Sequence, residues 1–184
     1  MSFIPDFELG LWNAWILILP TIVLSALLTR IIVKKESGGD SSPTKREKII
    51  FVIHHLIFLA SCAYTIFLPL KLGTFWVYAG LLVYLLGVFI SFWGLLNFQT
   101  TPLDKPVING IYRFSRNPMY IGNLSINVGI SMICLSWLFL LIAIIQIIIE
   151  YDLVISEEKN CFKQYGDAYR EYMKKTPRWI GIPK

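Results

Sequence analysis

Residues 11–33, 49–70, 74–98 and 119–149 form four long apolar runs separated by short polar segments. Each is long enough to cross a bilayer. A backbone inside hydrocarbon has no water to pair with, so runs of this length and composition must fold as helices. The composition agrees: 55% hydrophobic residues, 16% charged residues and a mean hydropathy of +0.60 exclude an ordinary soluble domain. No stretch resembles an interdomain linker, so residues 1–184 are expected to be a single membrane domain, with three N-terminal spans in 1–96.

The ends of the runs carry information. The first begins with acidic Asp6 and Glu8 and is too long for the apolar region of a signal peptide, so it is read as a span, with Pro20 kinking it. Residues 34–48 form a polar loop with Ser-Gly-Gly-Asp-Ser-Ser-Pro at its centre, a flexible connection by composition. Pro69, Lys71 and Gly73 mark a tight turn between the second and third spans. The last run, about thirty-one residues, is too long for one untilted helix and short for two ordinary spans. Asn123, Asn127, Gly129 and Ser131 make its first half too polar for lipid contact. A helical hairpin turning near Cys134-Leu135-Ser136 is therefore expected, with its first helix packed inside the bundle; a single tilted helix is the alternative.

Charge placement favours the hairpin. Basic residues cluster in the first loop (Arg30, Lys34, Lys35, Lys45, Arg46, Lys48), before the last run (Lys105, Arg113, Arg116) and in the tail (Lys159, Lys163, Arg170, Lys174, Lys175, Arg178, Lys184). Five spans put all three clusters on one side, as the positive-inside rule requires; four would put the tail outside. The expected fold is thus an all-α integral membrane protein of about five transmembrane helices, the last two a hairpin. Its N-terminus is outside and its C-terminus cytoplasmic. From Glu158 to Lys175, Phe162, Tyr165, Tyr169, Tyr172 and Met173 recur at helical spacing, which predicts a C-terminal cytoplasmic amphipathic helix ended by Pro177.

Two polar clusters stand at the edges of the last run. The first is Gly-Ile-Tyr-Arg-Phe-Ser-Arg-Asn-Pro-Met-Tyr-Ile-Gly (110–122); the second is Glu157-Glu158 with Tyr165-Gly166, Tyr169, Tyr172 and Pro177-Arg178. Arginines and carboxylates at such a depth are costly unless they pair with one another or with a ligand, so a shared site is expected where bilayer meets water. Cys62, Cys134 and Cys161 form no Cys-x-x-Cys pair and no even framework, so neither a metal site nor a disulfide scaffold is indicated. The net charge of +5 follows membrane topology and does not point to nucleic acid. His54 and His55 point in different directions from the second span and read as satisfied or interfacial side chains. Asp152, near Glu157, is a candidate to face the same site.

These motifs, in order and with a helical hairpin between them, resemble the isoprenylcysteine carboxyl methyltransferases and the wider group of membrane methyltransferases that includes phospholipid N-methyltransferases. The resemblance covers roughly residues 97–180 and makes 97–184 the cofactor-binding, catalytic half. It implies S-adenosylmethionine held on the cytoplasmic side and a lipophilic small-molecule or lipid-modified acceptor entering from the bilayer. Carried over, the cofactor contacts are Asp104, Lys105, Pro106, Val107, Tyr112, Asn117, Pro118, Met119, Tyr120 and Glu157, with Glu158 adjacent. Two positions depart from the pattern. Arg116-Asn117-Pro118 stands where most members have Arg-His-Pro, and Leu153 stands where the prenyl-cysteine enzymes have an arginine for the substrate carboxylate.

The residue chemistry leads the same way. Glu157 or Glu158 suits the cofactor's ammonium, Arg113 or Arg116 its carboxylate through a bidentate fork, and tyrosines such as Tyr165 and Tyr169 its adenine and sulfonium. Arg116, Glu157 and Glu158 are the candidate catalytic residues. Methyl transfer to a carboxylate or thiolate needs alignment and exclusion of water; an amine acceptor must also lose a proton. Isoprenoid-type carboxylate, thiol and phospholipid amine all remain open as acceptors. The alternatives are a membrane sterol or lipid reductase using NADPH and a non-catalytic membrane scaffold.

Overall fold

The computed structural model describes residues 9–36 and 44–182. The Ser-Gly-Gly-Asp-Ser-Ser-Pro connection and the acidic Asp6 and Glu8 lie outside the described residues. Among the described residues six α-helices follow one another: α1 (Trp15–Glu36), α2 (Lys45–Ile66), α3 (Phe75–Thr100), α4 (Pro118–Ile133), α5 (Trp137–Tyr165) and α6 (Asp167–Lys175), with a 3-10 turn at Gly110–Arg113 before α4. Among the described residues the only β pairing is an isolated bridge between Asn13 and Pro69. Helices α1, α2, α3 and α5 are each long and apolar enough to cross a membrane. At 16 residues α4 is about 24 Å long, short of the hydrocarbon core.

The last apolar run is two helices. Residues 134–136 break it, with Leu135 in the left-handed region at φ 51° and the Ser136 side chain capping α5 through the Phe139 N–H. The hairpin is antiparallel, as its cross-links show. Asn127 meets Gln146, Asn123 meets Glu150, and Asn117 meets Glu158, so each step back along α4 is a step forward along α5. As expected from its polar side chains, α4 lies inside the bundle, with Ile126, Asn127, Gly129, Ile130 and Ser131 buried.

Helices α3 and α4 touch backbone to backbone. Gly87 faces Gly122, and Gly80 faces Gly129; a Cβ on Gly87 would sit 2.7 Å from the Gly122 carbonyl oxygen and from the Ile126 nitrogen. Small residues allow this approach, which is how membrane helices gain contact when lipid is as apolar as leucine. The glycines recur every seven residues (80, 87 and 94; 122 and 129), which keeps them on one face of each helix.

One end of the bundle is closed by an apolar core of Ala14, Ile18, Leu68, Tyr84, Ile126, Ile130 and Phe139. Backbone and side-chain bonds tie the helix ends there: Ala14 N–H to the Leu68 carbonyl (2.9 Å), Lys71 N–H to the Ile133 carbonyl (3.3 Å) and Tyr84 hydroxyl to the Leu17 carbonyl (2.9 Å). The opposite end carries the polar clusters. There the tail departs from expectation: no single helix runs from Glu158 to Lys175. Helix α5 continues to Tyr165, and Gly166 at φ 56° turns the chain into α6. The turn lets Tyr169 and Tyr172 fold back against Tyr112.

Because the α3–α4 contact has no room for a side chain, Gly87→Val is expected to cost roughly 1–3 kcal/mol, or about 3–10 °C in melting temperature for a chain of this size. Leu82→Ala, on the exposed side of α3, should shift it by no more than about 2 °C. Thermal unfolding in detergent checks both; equal melting temperatures for the two variants would disprove the close packing.

Candidate active site

The polar end of the bundle encloses a pocket whose wall is built by six segments. Phe98 lies in the last turn of α3; Pro106 and Val107 come from the loop after it; Tyr112 comes from the 3-10 turn. Arg116 to Tyr120 open α4, Glu157, Glu158, Cys161 and Tyr165 come from the last turns of α5, and Tyr169 and Tyr172 close the wall from α6. The loop is placed by Asn97, whose side-chain oxygen accepts the Ile111 N–H (3.2 Å) beside Gly110 at φ 61°. Tyr172 fastens α6 to the 3-10 turn by donating its hydroxyl to the Tyr112 carbonyl (2.7 Å). Burial pushes the phenols of Tyr112, Tyr169 and Tyr172 well above the usual tyrosine range, so they stay neutral donors and present uncharged faces.

The two neighbouring glutamates have different surroundings. Glu158 is buried and fully engaged. Its Oε1 accepts from Asn117 Nδ2 (3.1 Å), and its Oε2 accepts from Arg178 Nε (3.1 Å) and Nη2 (2.9 Å). The Arg116 guanidinium lies 3.3 Å from the same oxygen. The Glu158 hydrogen bonds in turn raise the Arg178 guanidinium further above its ordinary value. Glu157 faces the opening and accepts one bond, from the Tyr120 hydroxyl (2.7 Å). Of the pair, Glu157 is therefore the carboxylate with capacity for a cationic ligand.

Arg116 supplies the complementary charge. It lines the pocket with its side chain 9% exposed, yet among the described residues its Nε has no hydrogen-bond partner and its Nη1 has only the ion pair with Glu158. Buried guanidinium N–H groups left unpaired are costly, so this edge suits a carboxylate brought by a ligand. It stands at the start of α4, where Asn117 makes no side-chain cap and Pro118 opens the helix, an end that itself favours negative charge.

Most of the residues singled out in the sequence meet here. Pro106, Val107, Tyr112, Arg116, Asn117, Pro118, Met119, Tyr120, Glu157, Glu158, Tyr165 and Tyr169 share the pocket wall. Asp104 and Lys105 are exposed and do not line it. Arg113, weighed with Arg116 for the carboxylate, is also exposed and off the wall, so of the two only Arg116 lines the pocket. Asp152 does not turn to the site; it pairs with Arg46 on the surface (3.0 Å).

Phe98, Cys161 and Tyr172 complete the wall without having been singled out as ligand contacts. Cys161 follows from its place one turn beyond Glu157, whereas Phe98 ends an apolar run and carries no signal of its own. Arg178 acts through its neighbours. Residues 176–182 lie along 114–117, with the Arg116 N–H on the Pro177 carbonyl (3.0 Å) and the Gly181 N–H on the Phe114 carbonyl (3.1 Å). Asn117, the position that lacks the usual histidine, spans Glu158 and the Arg178 carbonyl (3.2 Å). It positions the wall where an imidazole was absent.

No curated protein matches the chain. The family model described as phospholipid methyltransferase matches residues 72–168, from the turn before α3 to the start of α6, which includes most of the pocket wall. With more than half of its length matched, and with an all-helical bundle whose paired polar clusters converge, the chain belongs to the phospholipid methyltransferase family.

Proposed function

We propose that the protein transfers a methyl group from S-adenosylmethionine to the amine of a phospholipid that reaches the pocket from the bilayer. The observation that carries this reading is Arg116, whose buried Nε has no hydrogen-bond partner among the described residues, sharing a pocket with Glu157 and a set of tyrosines. A zwitterionic amino-acid moiety needs an anion and a cation held apart; Glu157 suits its ammonium and Arg116 its carboxylate. Faces of Tyr112, Tyr165 and Tyr169 suit adenine and a nearby sulfonium. When bound, the cofactor would supply an electrophilic methyl group.

The chain's own residues would bind, orient and dehydrate. Glu158, neutralised by Arg116 and Arg178, would hold α4, α5 and the tail in register, acting on the pocket through its neighbours. Leu153, in place of the arginine that prenyl-cysteine enzymes use, argues for an acceptor without a free carboxylate. The family match favours a phospholipid over an isoprenoid.

The reading includes five crossings, with α4 as the short fifth, the N-terminus outside and the pocket cytoplasmic. Three loops rich in lysine and arginine then share the cytoplasmic side. In sealed vesicles of a cysteine-free background, Asp104→Cys and Lys163→Cys should react with a membrane-impermeant maleimide from the same side and Leu72→Cys from the other. Reaction of Asp104→Cys and Lys163→Cys from opposite sides would overturn the five-span topology.

Calorimetric titration tests the cofactor. Detergent-purified protein should bind S-adenosylhomocysteine saturably, with at least tenfold weaker binding in Glu157→Gln and Arg116→Lys, and should not bind NADPH. Saturable NADPH binding without S-adenosylhomocysteine binding would replace the methyltransferase with a reductase. Binding of neither would leave a scaffold.

A further inference from the structure

One cluster of ionisable groups lies outside the pocket wall and inside the apolar bundle. Glu150, two helical turns before Glu157 on the same face of α5, is buried with its side chain 3% exposed. Its Oε1 lies 3.0 Å from His54 Nε2 on α2 and accepts from Asn123 Nδ2 on α4 (3.1 Å). One turn deeper, Asn127 donates to Gln146, whose buried Nε2 has no hydrogen-bond partner among the described residues. A polar seam thus runs from the pocket into the hydrocarbon-facing bundle. An ionisable pair at that depth is costly to keep for helix association alone, since interhelical polar contacts in membranes are worth only about 0.6 kcal/mol on average.

The neighbouring charges are otherwise occupied. On α2, Arg46 pairs with Asp152, Glu47 bonds Ser156, and His55 bonds the Phe51 carbonyl. On α4 the facing group is Tyr120, which donates to Glu157 on α5. Both Glu150 and His54 act electrostatically on Glu157. A neutral imidazole beside the Glu150 carboxylate carries one negative charge in low dielectric; a proton arriving on the imidazole makes the pair neutral overall.

We infer that the His54–Glu150 pair receives the proton that an amine acceptor sheds when it is methylated. The inference rests on the reading of the chain as a methyltransferase with an amine-bearing acceptor. A protonated amine has no lone pair, so one N–H bond must break before the new N–C bond forms. The freed proton passes by Glu157, at the pocket wall, and past the Tyr120 and Asn123 side chains of α4 to His54. The tautomer that donates Nε2–H to Glu150 leaves Nδ1 as the accepting atom. The amine lone pair takes the methyl carbon, and the electrons of the broken carbon–sulfur bond stay on sulfur as a neutral thioether. Glu150 and Asn123 are positioning residues in this scheme, fixing the tautomer of His54.

The chain has two histidines, so ¹⁵N-histidine NMR of the detergent-solubilised protein can follow His54 once His55→Gln assigns its partner. The wild-type ring should carry its neutral-state proton on Nε2. The pH at which His54 titrates should coincide with the midpoint of the kcat–pH profile for methylating phosphatidylethanolamine in mixed micelles. Glu150→Gln and, separately, His54→Gln should lower kcat tenfold or more near neutrality while S-adenosylhomocysteine affinity stays within about twofold; Glu150→Gln should also move both midpoints together. Retained kcat in both variants, or a kcat profile that ignores the His54 titration, would overturn the inference. Loss of S-adenosylhomocysteine binding in both would also overturn it, by showing that the pair only holds the helices together. An inactive wild type that binds no S-adenosylhomocysteine would instead sink the methyltransferase reading itself.

Discussion

The polar end of the molecule depends on one buried carboxylate. Glu158 sits at the end of a membrane-length helix, and its charge is met by Arg116 from the start of α4 and Arg178 from the tail. Removing one partner of such a buried pair typically costs about 3–5 kcal/mol, because the other charge is left without compensation. Here the loss would reach further than energy. The same carboxylate, with Asn117, sets the spacing between the two helices that carry Arg116 and Glu157, and it anchors the segment after α6 along residues 114–117. Two arginines on one glutamate also leave guanidinium capacity to spare, and that surplus is what the pocket presents at Arg116 Nε.

The apolar end solves a different problem. In lipid, burying leucine against leucine gains little, so the bundle gains contact where backbones can meet. Gly87 against Gly122 and Gly80 against Gly129 bring α3 and α4 together, and α4 is then surrounded by protein. This explains how a helix of 16 residues carrying Asn123, Asn127 and Ser131 can sit among spans of up to 29 residues. Asn123 and Asn127 face α5 and find Glu150 and Gln146 there, while the Ser131 hydroxyl bonds the Val128 carbonyl of its own helix. The short helix also leaves a recess at its N-terminal end, and the pocket occupies that recess.

The sequence made the helical architecture and the convergence of the two clusters legible because both are local signals: apolar length, loop charge and the fixed distance from Arg116 to Glu157 around a hairpin. The break at Cys134-Leu135-Ser136 was legible for the same reason, since a run of that length and polarity has few other ways to fold. The division of labour between Glu157 and Glu158 was not. Adjacent residues on a helix point about 100° apart, and only the tertiary position of Arg178 decides which one is consumed. Glu150 escaped notice because a single acid in a long apolar run has no visible partner until α2 is packed beside α5. The Glu158–Lys175 stripe was real as a pattern, but pattern alone did not show that Gly166 would fold it back on itself.

The placement of the pocket follows from the two solvents that its proposed ligands require. A zwitterionic, adenine-bearing cofactor must arrive from water, and a phospholipid must keep its chains in the bilayer, so the transfer can take place only where both reach. The wall offers both kinds of surface, with Arg116 and Glu157 among its charged groups and Phe98, Pro118 and Met119 among its apolar ones. Asn117 then makes physical sense in a position the wider group fills with histidine. Its amide ties Glu158 to the tail but accepts no proton, so an amine acceptor must lose its proton to another base. In the proposed scheme that base is His54, held by Glu150 inside the bundle.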